Sequence, residues 1–280
     1  MSELVLGTVQ FGLPYGITNV NGQVDKNEAK KILNFAKKVG INTLDTAISY
    51  GNSENTLGEI GVKGFKIITK TSPLRNNVSE VIKNFHQSLN KLGVKQVEGL
   101  LIHNFQDTKE KMFNVLLNEL NNFKKAGLIR KIGFSTYNPE EIDFLLSNYE
   151  FDLIQVPFNV FDTRLIEGGQ LNALKNRNIE VHARSIFLQG VLLNFDTLSN
   201  YFSTWKNKFE QYQKIVKDNN ISLLDYALNF ALNTKGLDKV VVGVESKNQL
   251  NDIVCSSRLN FHLKAFSIKD NNLLNPSLWN

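Results

Sequence analysis

The sequence predicts an α/β protein of the (β/α)8 TIM barrel type, organised as a single domain over residues 1–280. Three observations point there. Eight short apolar, β-branched runs are spread along the 280 residues. Longer segments with apolar residues at helical spacing fall between them. No linker or low-complexity tract breaks the alternation. A doubly wound open sheet is the competing arrangement, but no G-x-G-x-x-G follows the first run.

The strand candidates are LVLGTVQ (4–10), INTLDTA (41–47), FKIITKT (65–71), VEGLLIHN (97–104), IRKIGFST (129–136), LIQVPFN (153–159), VHARSIF (181–187) and KVVVGVE (239–245). Each is rich in the side chains that suit a buried parallel strand. The segment 77–92 illustrates the helical type. Val78, Val81, Ile82, Phe85, Leu89 and Leu92 recur at three- and four-residue steps and share one face. Asn77 or Ser79 is placed to cap its start, and Gly93 follows its end. Similar segments cover 25–39, 108–125, 139–148, 205–218, 221–233 and 247–256, with Gly40, Gly127 and Gly236 marking three helix ends.

Composition narrows the classes further. Hydrophobic residues make up 42% of the chain and aromatics 10%, enough for a substantial core. The net charge is +5, but the lysines are interleaved with acids, as in EAKKILNFAKKVG, and read as solvated helix surface. A nucleic-acid groove would show a clustered basic stripe. No apolar run is long enough for a membrane helix. The start, MSELVLGTVQ, lacks the basic-then-apolar pattern of a secretory signal, and the single cysteine, Cys255, has no internal partner, so a cytoplasmic protein is expected. No Cys/His/carboxylate spacing resembles a metal site.

In a (β/α)8 barrel, chemistry sits at the C-terminal ends of the strands. Asp45 ends the second run, with Tyr50 in the loop beyond it. Lys70 ends the third and His103 the fourth. Singly, each has an ordinary structural role open to it: a turn cap, a solvated lysine, a packed ring, a hydrogen-bonded histidine. Together, on consecutive strands, they should converge on one mouth. A nearby ammonium lowers a phenol's pKa. An Asp would hold that ammonium charged, and an imidazole would orient a carbonyl oxygen. Such a set protonates a carbonyl oxygen while something else attacks the carbon. It contains no hydride donor, so a nicotinamide cofactor would be required.

These residues carry a resemblance to the aldo-keto reductase superfamily over nearly the whole chain. It rests on LGTVQFG, LDTAISYGNSE, IITKTS, LLIHN, IRKIGFSTYNP, LIQVPFN, SIFLQGVLL and VVVGVESKNQL, in that order. The resemblance implies a reductase of aldehydes or ketones with Tyr50 as general acid, Lys70 tuning it, Asp45 pairing with Lys70, and His103 orienting substrate. It implies that Gly7 and Thr8 lie beneath the nicotinamide ribose, with Asp45 close by, and that Ser135 and Gln155 bind the carboxamide. Thr136 stands where the family commonly has Asn, and Arg184 where an aromatic often stacks on the nicotinamide. Ser185, Phe187, Gln189 and Gly190 match the loop around the pyrophosphate. Gly243, Val244, Glu245, Ser246 and Gln249 match the adenosine end. NADPH is the expected cofactor on this resemblance. NADH stays open, because Glu245 suits a free 2′-hydroxyl and Lys247 is the one cation nearby.

The substrate is expected to be a small-molecule carbonyl compound, with a sugar or nucleotide-sugar favoured over a general aldehyde. That expectation rests on a mouth rimmed by Tyr15, Asn52, Asn104, Phe105, Phe158, Asn159, Phe161 and Arg164, and on similarity to bacterial members associated with carbohydrate metabolism. Asn104 and Phe158, with Tyr50 and His103, are the expected substrate contacts. His86 and His182 read as structural, with a place for His182 at the mouth held open, and His262 falls beyond the last barrel helix. Two other classes remain: a carbon–carbon lyase forming a Schiff base on Lys70, and a non-catalytic cofactor-binding subunit. Oligomeric state is not readable from one sequence.

Overall fold

The computed structural model describes residues 2–196, 198–259 and 263–279. His262 therefore lies outside the described residues. Eight strands close into a parallel barrel in chain order: β1 (Glu3–Gly7), β2 (Thr43–Asp45), β3 (Lys66–Lys70), β4 (Val97–Ile102), β5 (Ile129–Ser135), β6 (Leu153–Pro157), β7 (Glu180–Arg184) and β8 (Lys239–Gly243). β8 pairs with β1 over five residues, including Gly7 with Gly243, which completes the cylinder. All eight predicted strands are present, each shorter than its apolar run.

The helices are α1 (Lys26–Lys38), α2 (Ser53–Ile60), α3 (Val78–Leu92), α4 (Phe113–Lys125), α5 (Pro139–Asn148), α6 (Arg164–Glu167), α7 (Gln170–Asn176), α8 (Lys206–Asp218), α9 (Leu223–Leu232), α10 (Lys247–Ser256) and α11 (Asn271–Leu274). Asn77 caps α3 by accepting from the Glu80 amide, and Gly93 closes it in the left-handed region at φ 67°. Helical spacing did not reveal α2, α6, α7 and the single-turn α11. In α2, Gly58 masks the pattern, yet it is needed there: a Cβ would lie 1.8 Å from the Lys91 carbonyl oxygen of α3. α6 and α7 are one or two turns long and separated by Gly168 and Gly169, too short to display a period. The predicted helix 108–125 divides into a 3-10 turn (Phe105–Lys109) and α4.

Side chains alternate between the barrel lumen and the helix layer with a period of two. The main apolar core lies between strands and helices, while Ile68, Leu101 and Leu153 form a separate cluster within the barrel. Below them lies a charged floor. Glu180 meets the His182 imidazole at 2.6 Å and Lys239 at 3.4 Å, and also pairs with Lys131. His182 is fully buried there, two residues below the strand end, and so does not reach the mouth. Above the apolar cluster, the next inward positions are Asp45, Lys70, Gln155, Ser135 and Arg184. The alternation therefore delivers the polar strand-end residues to one layer.

Candidate active site

Asp45 and Lys70 reach the upper layer from adjacent strands, since Asp45 pairs with Ile68, two residues before Lys70. Both are almost completely buried. The Lys70 ammonium donates to Asp45 Oδ1 at 2.7 Å and to the Thr46 carbonyl at 2.9 Å. Gln155 Nε2 donates to Asp45 Oδ2 at 2.7 Å, so both carboxylate oxygens are occupied. Burial works to lower the Lys70 pKa, but the Asp45 carboxylate opposes it and the net shift is upward. Lys70 is held as a cation.

Tyr50 sits in the loop after β2, its ring 4.8 Å from Lys70 Nζ. This loop is locked from below. Ser53 Oγ donates to the Thr8 carbonyl at 2.8 Å and Thr8 Oγ1 donates to the Asp45 carbonyl at 2.9 Å. Gly12 packs directly beneath it, where a Cβ would fall 1.9 Å from the Tyr50 carbonyl oxygen. From the sequence, Lys70 is expected to pull the phenol's pKa down. In the folded protein burial is the larger influence and the net shift is upward, with Lys70 as the main opposing pull. The phenol is thus protonated at neutral pH, and the cation beside it favours the charge that develops when the proton leaves.

His103 follows β4 and meets Tyr50 edge to face, with ring centroids 6.0 Å apart. Burial, followed by the charge of Lys70, lowers its pKa to about 4. The ring is therefore neutral above that pH. Its Nδ1 lies 3.2 Å from Ser49 Oγ, a contact that no sequence pattern announced. When the serine donates, Nε2 carries the proton and can serve as a donor into the cavity.

The cavity beside these groups has a volume of about 410 Å³ and extends from Tyr50, Lys70 and His103 to Gln249, Asp252 and Ile253. Gly7 and Gly243, paired across β1 and β8, form part of its floor, so a ligand can approach the backbone closely. Ser135, Gln155 and Arg184 line the cavity with Tyr50, Lys70 and His103, and Glu245 and Gln249 line it beyond β8. The walls come from the two long loops after β1 and β7. They meet where Gln189 Nε2 donates to Tyr15 Oη at 3.2 Å and Thr18 Oγ1 to the Gln189 carbonyl at 3.4 Å. Gly190 packs there against Thr18. Ser185, Leu188 and Gln189 all have positive φ (57°, 48° and 55°), a strained backbone of the kind found at ligand-holding loops. Ser185, Phe187, Gln189 and Gly190 line the cavity as the resemblance implied, as does Thr8, though its hydroxyl is already engaged with Asp45 and Ser53.

Several expected residues lie elsewhere, for reasons of alternation and packing. Thr136 and Val244 are one position beyond inward-facing Ser135 and Gly243; both side chains are buried away from the cavity. Ser246 caps α10 by accepting from the Gln249 amide. Asn104 caps the 3-10 turn by accepting from the Gln106 amide and does not line the cavity. Phe158 is not a mouth residue: it is fully buried and stacks on Phe230, centroids 5.6 Å apart. Phe161 stacks likewise on Phe209, and Phe105 and Asn159 are also buried. The C-terminal tail covers this loop, with the Phe266 and Ile268 amides donating to the carbonyls of Val160 and Phe161. Arg164 is engaged by Asp162, and Asn52 precedes α2 outside the cavity. Of the predicted rim, Tyr15 lines the cavity, joined by Gln10, Tyr137, Leu193, Leu224 and Asp252, which motif reading did not single out.

A closed parallel barrel with a buried Asp–Lys pair, a phenol and an imidazole at its C-terminal mouth, beside an elongated cleft, defines a (β/α)8-barrel enzyme. Residues 3–271 match the model of the aldo/keto reductase family, and the chain belongs to that family. It is an NAD(P)H-dependent oxidoreductase. It is 24% identical, over 90% of its own length and 86% of the relative's, to an uncharacterized oxidoreductase from Bacillus subtilis. It is also 24% identical to the NADH-specific methylglyoxal reductase of Escherichia coli, covering 93% and 91% of the two chains. Among solved structures, the holo form of an aldo-keto reductase from Bacillus halodurans superimposes with a TM-score of 0.75 at 19% identity, over 92% of this chain and 87% of that one. Among the described residues no cluster of His, Cys, Asp and Glu could hold a metal ion, and no helix is long and apolar enough to cross a membrane.

Proposed function

We propose that the protein reduces the carbonyl group of a small aldehyde or ketone to an alcohol, with Tyr50 giving the proton and NADH as the preferred cofactor. The buried, charged Lys70 beside a protonated Tyr50 carries the first part. The bound nicotinamide supplies the hydride. Tyr50 donates its phenolic proton to the carbonyl oxygen, Lys70 stabilises the resulting phenolate, Asp45 and Gln155 keep Lys70 in place, and neutral His103 orients the oxygen. A Schiff base would require Lys70 as a free amine, and Asp45 opposes that.

The elongated cleft, its glycine floor and the strained β7 loop suit a dinucleotide. Gly7 and Thr8 would lie under the nicotinamide ribose, Ser135 and Gln155 near the carboxamide, and Ser185, Gln189 and Gly190 along the pyrophosphate. The adenosine end favours NADH over the NADPH that the family resemblance suggests. Glu245 and Asp252 both line it. Glu245 is held there by Asn21 Nδ2 at 3.0 Å. Lys247 turns away, its ammonium 5.7 Å from the Phe35 ring and its amide donating to Glu28. A 2′-phosphate would meet carboxylates, whereas a 2′-hydroxyl could donate to one. The Escherichia coli relative named as NADH-specific supports the same choice. Most of the rim side chains behind the sugar reading are buried or engaged, so that reading now rests on the similarity of its sequence segments to carbohydrate-associated members.

Fluorescence titration with the two cofactors tests this. The expected result is at least roughly tenfold tighter binding of NADH, reversed toward NADPH by Glu245→Lys. Equal affinities in the wild type would refute the cofactor assignment. Absence of turnover with every member of a panel including methylglyoxal, simple aldehydes and aldoses would refute the reductase assignment.

A further inference from the structure

Arg184 ends β7 in the same inward layer as Asp45 and Gln155 and lines the catalytic end of the cavity. Its side chain is pinned, yet only by neutral groups. Nη2 donates to the Thr136 carbonyl at 3.0 Å, Nη1 to Ser185 Oγ at 3.2 Å, and the guanidinium carbon stands 4.2 Å from the Tyr137 ring centroid. No carboxylate lies within ion-pair distance of it among the described residues. Arg164 makes the contrast: its Nε and Nη2 each reach Asp162 at 2.8 Å. The acid at this end of the cavity, Asp45, is spent on Lys70 and Gln155. The charge of Arg184 is felt at Tyr15, Tyr50 and His103, which places it within electrostatic reach of the reacting groups.

A half-buried guanidinium, fixed in orientation and lacking a counter-ion, is a preorganised receptor for a planar or tetrahedral oxyanion. The two ends of the cavity then have opposite electrostatic character: Glu245 and Asp252 at one, the uncompensated Arg184 at the other. We propose that Arg184 binds an anionic group of the carbonyl substrate, a carboxylate or phosphate near the reacting carbonyl. This deepens the reductase reading and rests on it. The same oxyanion chemistry is offered by the pyrophosphate of the cofactor. The substrate is the better match because Arg184 shares the strand-end layer of Asp45 and Gln155 and its charge reaches Tyr50 and His103, while its contact with Ser185 makes the pyrophosphate the rival that the test separates.

The test compares pairs of carbonyl probes with and without an anionic group: 4-oxobutanoate against its methyl ester, and glyceraldehyde 3-phosphate against glyceraldehyde. The wild type should prefer the charged member in kcat/KM by about 10- to 100-fold in at least one pair. Arg184→Met should bring that ratio close to one, whatever loss is common to both members. Arg184→Lys, which keeps the charge and loses the fork, should retain part of it. No preference in the wild type, or a preference that survives Arg184→Met, would overturn the proposal. So would a collapse of NADH affinity in Arg184→Met with the substrate ratio unchanged, which would assign the guanidinium to the pyrophosphate. Titration of the NADH-saturated protein with succinate separates this inference from the reductase reading. Succinate binding that disappears in Arg184→Met supports the anion site even without turnover, and a wild type that does not bind succinate counts against it.

Discussion

Replacing Lys70 with Met tests the centre of the proposed site, because Lys70 has two separable effects. The first is on stability. The substitution leaves Asp45 buried with Gln155 as its remaining side-chain donor and removes the donor to the Thr46 carbonyl. Breaking a buried ion pair from one side costs about 3–5 kcal/mol. The second effect is on rate. With Nζ 4.8 Å from the Tyr50 ring, a unit charge at an effective dielectric of about 20 stabilises a phenolate by roughly 3 kcal/mol, or more than about a hundredfold in rate. Chemical denaturation of Lys70→Met should reveal the lost stability. Stopped-flow reduction under conditions where the variant is fully folded should reveal the slow step. Adding Asp45→Asn to Lys70→Met should recover part of the stability and none of the rate, since the orphaned charge is gone but the phenolate is still unsupported. A Lys70→Met variant with a rate within about tenfold of the wild type would refute the electrostatic argument.

Other outcomes follow from the same geometry. Tyr50→Phe should abolish carbonyl reduction while leaving NADH titration largely intact; normal turnover would exclude Tyr50 as the acid. The His103 pKa is lowered from 6.5 to about 4, so as pH falls the unfolded chain takes up this proton first, and stability should decline between those values by up to roughly 3 kcal/mol. Denaturant titrations at pH 7 and pH 5, compared with His103→Gln, measure that slope, and kcat/KM should show no titration near 6.5. Gly12→Ala should cost about 1–3 kcal/mol and lower kcat, because the added methyl collides with the backbone of the Tyr50 loop. A variant with unchanged melting and rate would show that the loop yields freely.

Much of the fold was legible because the signals are local. Eight β-branched runs alternating with amphipathic segments leave few ways to bury every face, and the observed barrel follows that order. The convergence of Asp45, Lys70 and His103 was legible too, because a parallel barrel places strand-end residues in one ring. Helices α2, α6, α7 and α11 were not, since Gly58 and the Gly168–Gly169 pair interrupt short segments and α11 is a single turn, too short to show a period. The placement of Phe158 and Phe161 was missed for another reason: they stack on Phe230 and Phe209, far along the chain, and the C-terminal tail pairs with the same loop through Phe266 and Ile268.

The sequence by itself determined which side chains stand at the strand ends and on which face, because a strand's two-residue period is a property of the backbone alone. Tertiary structure decided their electrostatic character. Whether burial or Lys70 dominates the Tyr50 proton, whether Arg184 has a counter-ion, and whether Lys247 faces the cleft or the Phe35 ring all depend on distances between residues far apart in the chain. Coulomb energy and desolvation respond to separation in space, and only the closed barrel sets that separation.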